Sequence, residues 1–209
     1  GHEAGGTVAP VGPSVTQGQV GATVGLGWAS GSGRTCDYCR AGDHNVGAGN
    51  EQTLVGRPGG FAAKVRCKAE WATLLPEGVD AKTAGPLFCG GITVFNPIVQ
   101  CGVRPTDRVG VIGLGGLGHR ALQFLRAWGC EVTAFTSSES KRDQALGMGA
   151  HHVVASSDSG QLDAVAGSMD FILSTVNVDL DWPRYFAALR ARGRFHTVGA
   201  IPSPVPVAA

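Results

Sequence analysis

Arg108-Val-Gly-Val-Ile-Gly-Leu-Gly-Gly-Leu-Gly118 is the stretch that decides how this chain is read. The apolar run 109–112 has the character of a buried parallel strand, Gly113, Gly115 and Gly118 form G-x-G-x-x-G, and Leu117, Ala121, Leu122, Leu125 and Trp128 recur at helical spacing up to Gly129. In such a turn the first glycine permits a tight bend and the second lets a pyrophosphate approach the backbone. The third lets helix and strand pack closely, and the helix N-terminus offers its free N–H groups to phosphate. Among 33 glycines the bare pattern is weak evidence. Its place between a predicted strand and a predicted helix makes it a dinucleotide fingerprint, and Glu131-Val-Thr-Ala-Phe-Thr136 supplies the next strand of a βαβ unit.

Strands and helices alternate outward from this point. Strands are predicted at 109–112, 132–135, 152–155, 171–175 and 194–198, and helices at 117–128, about 140–148, and 182–189. The last helix carries Trp182, Tyr185, Phe186 and Leu189 at i, i+3, i+4 and i+7 behind Asp181, a good N-cap residue. The pattern predicts an α/β domain with a doubly wound parallel (Rossmann) sheet, whose usual sixth strand would lie beyond Ala209. The first 65 residues carry short alternating runs such as Gly6-Thr-Val-Ala-Pro-Val11 and Ala22-Thr-Val-Gly-Leu26, which predict short antiparallel strands. Residues 81–99 are mostly apolar with helical potential, so the boundary is placed near Val94, giving domains 1–94 and 95–209.

The net charge of +1 and the lack of a basic stripe point away from nucleic acid, and no apolar run reaches the roughly 18 residues needed to span a bilayer. With no charged-then-apolar leader, a soluble cytoplasmic protein is expected, and its six cysteines read as thiols or metal ligands rather than a disulfide framework. The start at Gly1 and the end at Ser203-Pro-Val-Pro-Val-Ala-Ala209 suggest a fragment lacking both termini.

Gly1-His2-Glu3 with the Gly6-x-Val8-x-x-Val11-Gly12 run, Leu87-Phe-Cys89-Gly-Gly-Ile-Thr93-Val, the Gly113 turn, Asp170-Phe-Ile-Leu-Ser-Thr-Val176 and Val198-Gly199-Ala200 occur in order along essentially the whole chain. Together they resemble the zinc-dependent medium-chain alcohol dehydrogenases, in particular the branch of cinnamyl-alcohol-dehydrogenase-like aldehyde reductases. The resemblance implies that 1–94 is a partial β-rich GroES-like catalytic domain. It also implies a catalytic Zn²⁺ held by His2 and Cys89, with Glu3 as an alternating ligand, in the Cys₂His type of site for which alcohol dehydrogenase is a standing example. The family's other cysteine ligand, and the Ser/Thr of its proton relay, belong to a motif upstream of Gly-His-Glu that falls outside these residues.

The family also implies a structural zinc in the loop 31–47, held by four cysteines spaced C-x₂-C-x₂-C-x₇-C. Here Cys36 and Cys39 remain while Gly33 and Gly47 hold the other two places. Two thiolates do not close a tetrahedral site, so this zinc is expected to be lost unless His44 or Cys67 substitutes.

Coenzyme choice is read where the second strand ends. Thr136, Ser137 and Ser138, followed by Lys141 and Arg142, suit a 2′-phosphate and hence NADP(H), whereas Glu139, the acidic candidate for an NAD ribose, lies beyond the strand end. Gly116 and Leu117 belong to the phosphate turn. The resemblance implies nicotinamide-side contacts at Thr93, Thr175, Val198 and Gly199, with Thr93 and Glu3 as catalytic candidates. Trp28 and Phe88 could line a substrate cleft, but aromatic residues are more often core, and neither is assigned a role.

The expected activity is reversible hydride transfer between NADP(H) and a small-molecule primary alcohol or aldehyde at one zinc, with the full-length form a possible homodimer. One alternative is a non-catalytic coenzyme-binding remnant with an incomplete zinc site. A zinc-independent quinone-reductase-like relative is disfavoured by the joint presence of His2 and Cys89.

Overall fold

A computed structural model describes residues 1–16 and 18–207, and the chain divides into two compact units, Gly1–Cys89 and Gly90–Ala209. The expected boundary at 94/95 falls inside the first helix of the second unit.

The first unit begins with β1 (Ala4–Thr7), β2 (Thr23–Leu26) and β3 (Ala29–Gly31), then the short helix α1 (Asp37–Ala41), β4 (Glu51–Gln52), β5 (Thr73–Leu74) and α2 (Ala81–Ala84). β1 pairs antiparallel with β2 from Ala4↔Leu26 to Thr7↔Thr23, β5 joins the other side of β2, and β3 pairs with β4. The predicted run 6–11 is in the ladder only as far as Thr7, because Pro10 lacks an N–H to continue it. A 3₁₀ turn, Gly85–Phe88, follows α2 and ends the unit.

The second unit opens with α3 (Gly90–Gln100) and continues through β6 (Arg108–Ile112), α4 (Gly116–Trp128), β7 (Glu131–Thr136), α5 (Arg142–Gly147), β8 (His152–Ala155), α6 (Ser159–Ala164), β9 (Met169–Ser174), α7 (Trp182–Ala187) and β10 (Leu189–Thr197). The five strands form one parallel sheet in the order β10-β9-β6-β7-β8. The strand order reverses at β6 and β9, so a dinucleotide site is expected at their carboxyl ends.

Both faces of this sheet are covered, and the side chains sort by strand alternation. Val109, Val111, Val132, Ala134, Val153, Phe171 and Leu173 pack with α3 and α4, while Ile112, Phe135, Val154 and Ile172 pack with Leu162 of α6, Tyr185 of α7 and Ala188, which caps α7. Gly110 leaves the space that the Phe135 ring fills, since a Cβ there would stand 2.7 Å from that ring.

Three local expectations are corrected. The helix expected over 140–148 starts as a 3₁₀ turn, Glu139–Lys141, before α5. The one expected over 182–189 stops at Ala187, and Leu189 already belongs to β10. Asp181 makes no side-chain capping bond; its carboxylate pairs with Arg184 Nε at 3.1 Å instead. The six-residue α6 is too short to show a helical period in the sequence, and its cap is made by Asp158, whose carboxylate accepts from the N–H groups of Gly160 and Gln161.

Candidate functional site

His2 and Cys89 are 87 positions apart, yet His2 Nε2 lies 2.9 Å from Cys89 Sγ. Glycines make this meeting possible. The segment from α2 through the 3₁₀ turn lies directly on β1 and β2, where a Cβ at Gly5 would stand 2.6 Å from the Ala81 carbonyl and one at Gly85 would stand 2.7 Å from the Glu3 carbonyl. A Cβ at Gly25 would enter the Phe88 ring, and one at Gly27 would strike the Phe88 carbonyl. With side chains absent at these four places, Phe88 beds onto β2 and Cys89, the next residue, arrives at His2. The His2 and Trp28 rings form a T-shaped pair, centroids 5.0 Å apart and planes at 89°, which restrains the imidazole. Trp28 is 40% exposed rather than a core residue, and it is a site neighbour that the sequence left unassigned.

An imidazole nitrogen and a thiol sulfur are the donor types that hold zinc, and tetrahedral Zn–S and Zn–N bonds of about 2.3 and 2.0 Å separate the donors by about 3.5 Å. The His2–Cys89 pair therefore fits an ion after a small side-chain opening from 2.9 Å. Glu3 is exposed on the residue between His2 and β1. Among the described residues, no three His, Cys, Asp or Glu side chains converge on one point.

In the loop around α1, the sulfurs of Cys36 and Cys39 are 3.2 Å apart, and the Cys39 N–H points at Cys36 Sγ at 3.4 Å. That backbone bond, followed by the contact with the Cys39 thiol, holds the Cys36 thiol below its ordinary range. A Cβ at Gly47 would stand 3.0 Å from each sulfur, so this glycine faces the pair with no donor of its own. His44 does not join them, because its Nδ1 bonds Ser32 Oγ at 3.0 Å and its ring meets the edge of Trp71. Cys67 lines a separate cavity of about 440 Å³ with Arg57, Lys64, Arg66 and Lys68, where burial pushes its thiol up.

In the second unit, Gly113 ends β6 at φ +93°, a conformation open to glycine, and its N–H donates to the Phe135 carbonyl at 3.1 Å. Thr175 crosses the switch point: both its N–H and its hydroxyl donate to the Ile112 carbonyl, at 3.0 and 2.8 Å. At Gly118 a Cβ would collide with the Gly113 carbonyl, so this glycine closes the helix onto the strand. At Gly115 and Gly116 an added Cβ meets nothing within 4 Å. The protein itself leaves that space open in front of the N-terminus of α4, which is the room a pyrophosphate needs. Leu117 lies in the first turn of that helix.

Val198 N–H donates to Ser174 O at 2.9 Å, and Gly199 passes so close to Val176 that a Cβ would strike its carbonyl. The carboxyl ends of β6, β9 and β10 thus present Gly113, Thr175, Val198 and Gly199 along one edge. The Ser174 hydroxyl there is fully buried without a hydrogen-bond partner. Thr93 lies half-buried on α3. At the end of β7, Thr136 Oγ1 accepts from the Ser138 N–H at 3.2 Å and Ser138 Oγ touches Ser140 Oγ at 2.7 Å. Glu139 is ion-paired with Arg142, while Ser137 and Lys141 are exposed.

Residues 1–77 match the family model described as the alcohol dehydrogenase GroES-like domain, and residues 116–209 match that of the zinc-binding dehydrogenases. An aldehyde reductase (AdhA) of Synechocystis sp. is 52% identical over 205 residues, spanning 98% of this chain and 61% of that protein. A cinnamyl alcohol dehydrogenase structure from Sorghum bicolor superposes with a TM-score of 0.93 at 36% identity, over 99% of this chain and 62% of the other. One from Helicobacter pylori, complexed with NADP(H), gives 0.86 at 27% identity over 96% and 59%. The chain spans about three-fifths of the length of these relatives.

Proposed function

From the premise that this chain belongs to the zinc-dependent medium-chain alcohol dehydrogenase family, we propose that the full-length protein is an NADP(H)-dependent alcohol dehydrogenase or aldehyde reductase acting on primary alcohols and aldehydes. The observation that carries the reading is the 2.9 Å approach of His2 Nε2 to Cys89 Sγ, two residues of a zinc-binding pattern brought together from opposite ends of the first unit.

His2 and Cys89 are assigned as zinc ligands, with the T-shaped contact to Trp28 restraining the imidazole. Glu3, on the adjacent residue, is assigned as the carboxylate that exchanges with water or substrate. When bound, zinc polarises the substrate oxygen and the nicotinamide ring carries the hydride. The N–H groups at Gly115, Gly116 and Leu117 would receive the pyrophosphate. Thr175, Val198 and Gly199 are assigned to the nicotinamide side of the switch point. Thr93, on the second unit's first helix, is assigned a place on the same side.

The 2′-phosphate is assigned to Thr136, Ser137, Ser138 and Lys141. The ion pair between Glu139 and Arg142 supports this choice, because it ties up the acidic side chain that an NAD ribose would require.

NADPH oxidation by the full-length protein with a panel of aldehydes, before and after zinc is stripped with a chelator, tests the proposal. Turnover with NADPH that is lost with the metal and restored by Zn²⁺ is the expected result. Turnover indifferent to zinc would overturn the metal assignment, and a preference for NADH would overturn the coenzyme assignment.

A further inference from the structure

We propose that Cys36 and Cys39 form a reversible intramolecular disulfide by exchange with small-molecule disulfides, with Cys36 as the attacking sulfur and Cys39 as the resolving one. This inference concerns a loop outside the His2–Cys89 pair and does not depend on the activity proposed above.

The geometry assigns the two roles. The sulfurs are already in contact at 3.2 Å, so reaching the bond length of about 2.05 Å takes a small side-chain rotation rather than a backbone rearrangement. Cys36 is only partly covered and open to a reagent, whereas Cys39 is 6% exposed and reaches only a sulfur that is already beside it. Among the described residues no third donor competes for the pair. Gly47 presents backbone to both sulfurs, His44 is held by Ser32 and Trp71, and among the described residues no set of three metal-ligating side chains exists. Cys101, in the turn after α3, and Cys130, between α4 and β7, lie against other groups, the His196 ring at 3.9 Å and the Arg104 carbonyl at 3.3 Å.

The exchange balances without further reagents. The Cys36 sulfur attacks one sulfur of the small disulfide, forming a mixed disulfide and releasing the first thiol. Cys39 then attacks Cys36 Sγ, closing the Cys36–Cys39 bond and releasing the second thiol, so the protein loses two electrons and two protons, and the disulfide becomes two thiols.

The test uses the full-length protein under native conditions with oxidised glutathione, followed by an acid quench, alkylation and trypsin. Cleavage after Arg34 and Arg40 leaves residues 35–40 as one peptide holding both cysteines. The expected peptide is unalkylated, lighter by the mass of two hydrogen atoms, and returned to the alkylated form by prior reduction. In Cys39→Ser the intermediate should persist as a glutathione adduct on Cys36, and in Cys36→Ser the remaining Cys39 should react at least tenfold more slowly. Two separately glutathionylated cysteines, or a wild-type peptide that stays fully alkylated in excess oxidant, would overturn the proposal. So would a chelatable zinc ion that shields both cysteines until it is removed. The wild-type peptide decides the matter even if a variant fails to fold.

Discussion

The interiors of the two units are built by different means. In the second, large apolar side chains fill both faces of a parallel sheet, and Phe171, Ile172, Leu173, Leu122, Leu125 and Phe135 are all within 1% of complete burial. In the first, the buried apolar residues among those described are Leu26, Cys39 and Ala84, while Ser30, Ser32 and Thr53 are buried just as deeply. Those hydroxyls belong to a polar network. Ser30 donates to the Glu51 carbonyl and receives Arg57, Thr53 donates to the Gly27 carbonyl at 2.7 Å, and Lys68 bridges the Ser32 carbonyl and the Glu51 carboxylate. An interior of hydrogen bonds and glycine contacts positions groups accurately but contributes less than apolar burial, at about 1 kcal/mol per bond against about 1.5–3 kcal/mol per large side chain. The second unit is therefore held by an apolar core, and the first is a scaffold that depends on hydrogen bonds and close backbone packing.

The largest expected effect tests that contrast directly. Phe171→Ala, at the centre of the sheet, should cost about 3–5 kcal/mol, whereas Leu26→Ala, the largest buried side chain of the first unit, should cost about 2 kcal/mol. Denaturant unfolding of the full-length protein, followed through probes in each unit, measures both. A costlier Leu26→Ala would invert the comparison.

Next comes the glycine packing. Gly25→Ala pushes a methyl group into the Phe88 ring and so lifts Cys89 away from His2. A destabilisation of about 1–3 kcal/mol is expected from overpacking, together with loss of bound zinc by elemental analysis. Retention of full zinc occupancy would show that Phe88 does not hold Cys89 in place.

A smaller and more selective effect is expected in the second unit. Lys141→Asp reverses an exposed charge without touching the core, so affinity for NADPH should fall about tenfold or more while affinity for NADH changes little. Equal losses for the two coenzymes would remove Lys141 from the 2′-phosphate.

The same contrast explains what could be read from the sequence. The parallel sheet was legible because strands buried on both faces are continuous apolar runs, and the 113–118 turn stands between one of them and an amphipathic helix. The strands of the first unit are short and glycine-rich, so their periodicity says little. The approach of His2 to Cys89 came from a family resemblance, not from pattern. Gly5, Gly25, Gly27 and Gly85 are visible as letters, but their meaning lies in contacts across 61 to 82 positions that no local window contains. In the sequence the Cys36–Cys39 pair reads as the remnant of a lost metal site, and only the fold brings the sulfurs into contact while His44 turns to Ser32.

The smallest effect expected is a pH dependence generated by a thiol buried in the core. Cys130, 2% exposed at the foot of β7, has its thiol raised from 9.0 to about 11, first by burial and then by the nearby carboxylates of Asp107 and Asp170. Because the folded state resists ionisation that the unfolded chain accepts, the contribution is fully present below the unfolded value. It is lost progressively as pH rises from about 9 to 11. At pH 10 the loss should be about 1 kcal/mol, seen as a fall in the stability of the second unit that Cys130→Ala abolishes. Cys36, whose thiol moves the opposite way, gives no such decline, whereas Cys67, whose thiol burial also raises, gives one of the same sign in the first unit that Cys67→Ala should remove. If Cys130→Ala retains the full slope, the core around β7 admits water, and the contrast between a dry half and a hydrogen-bonded half weakens.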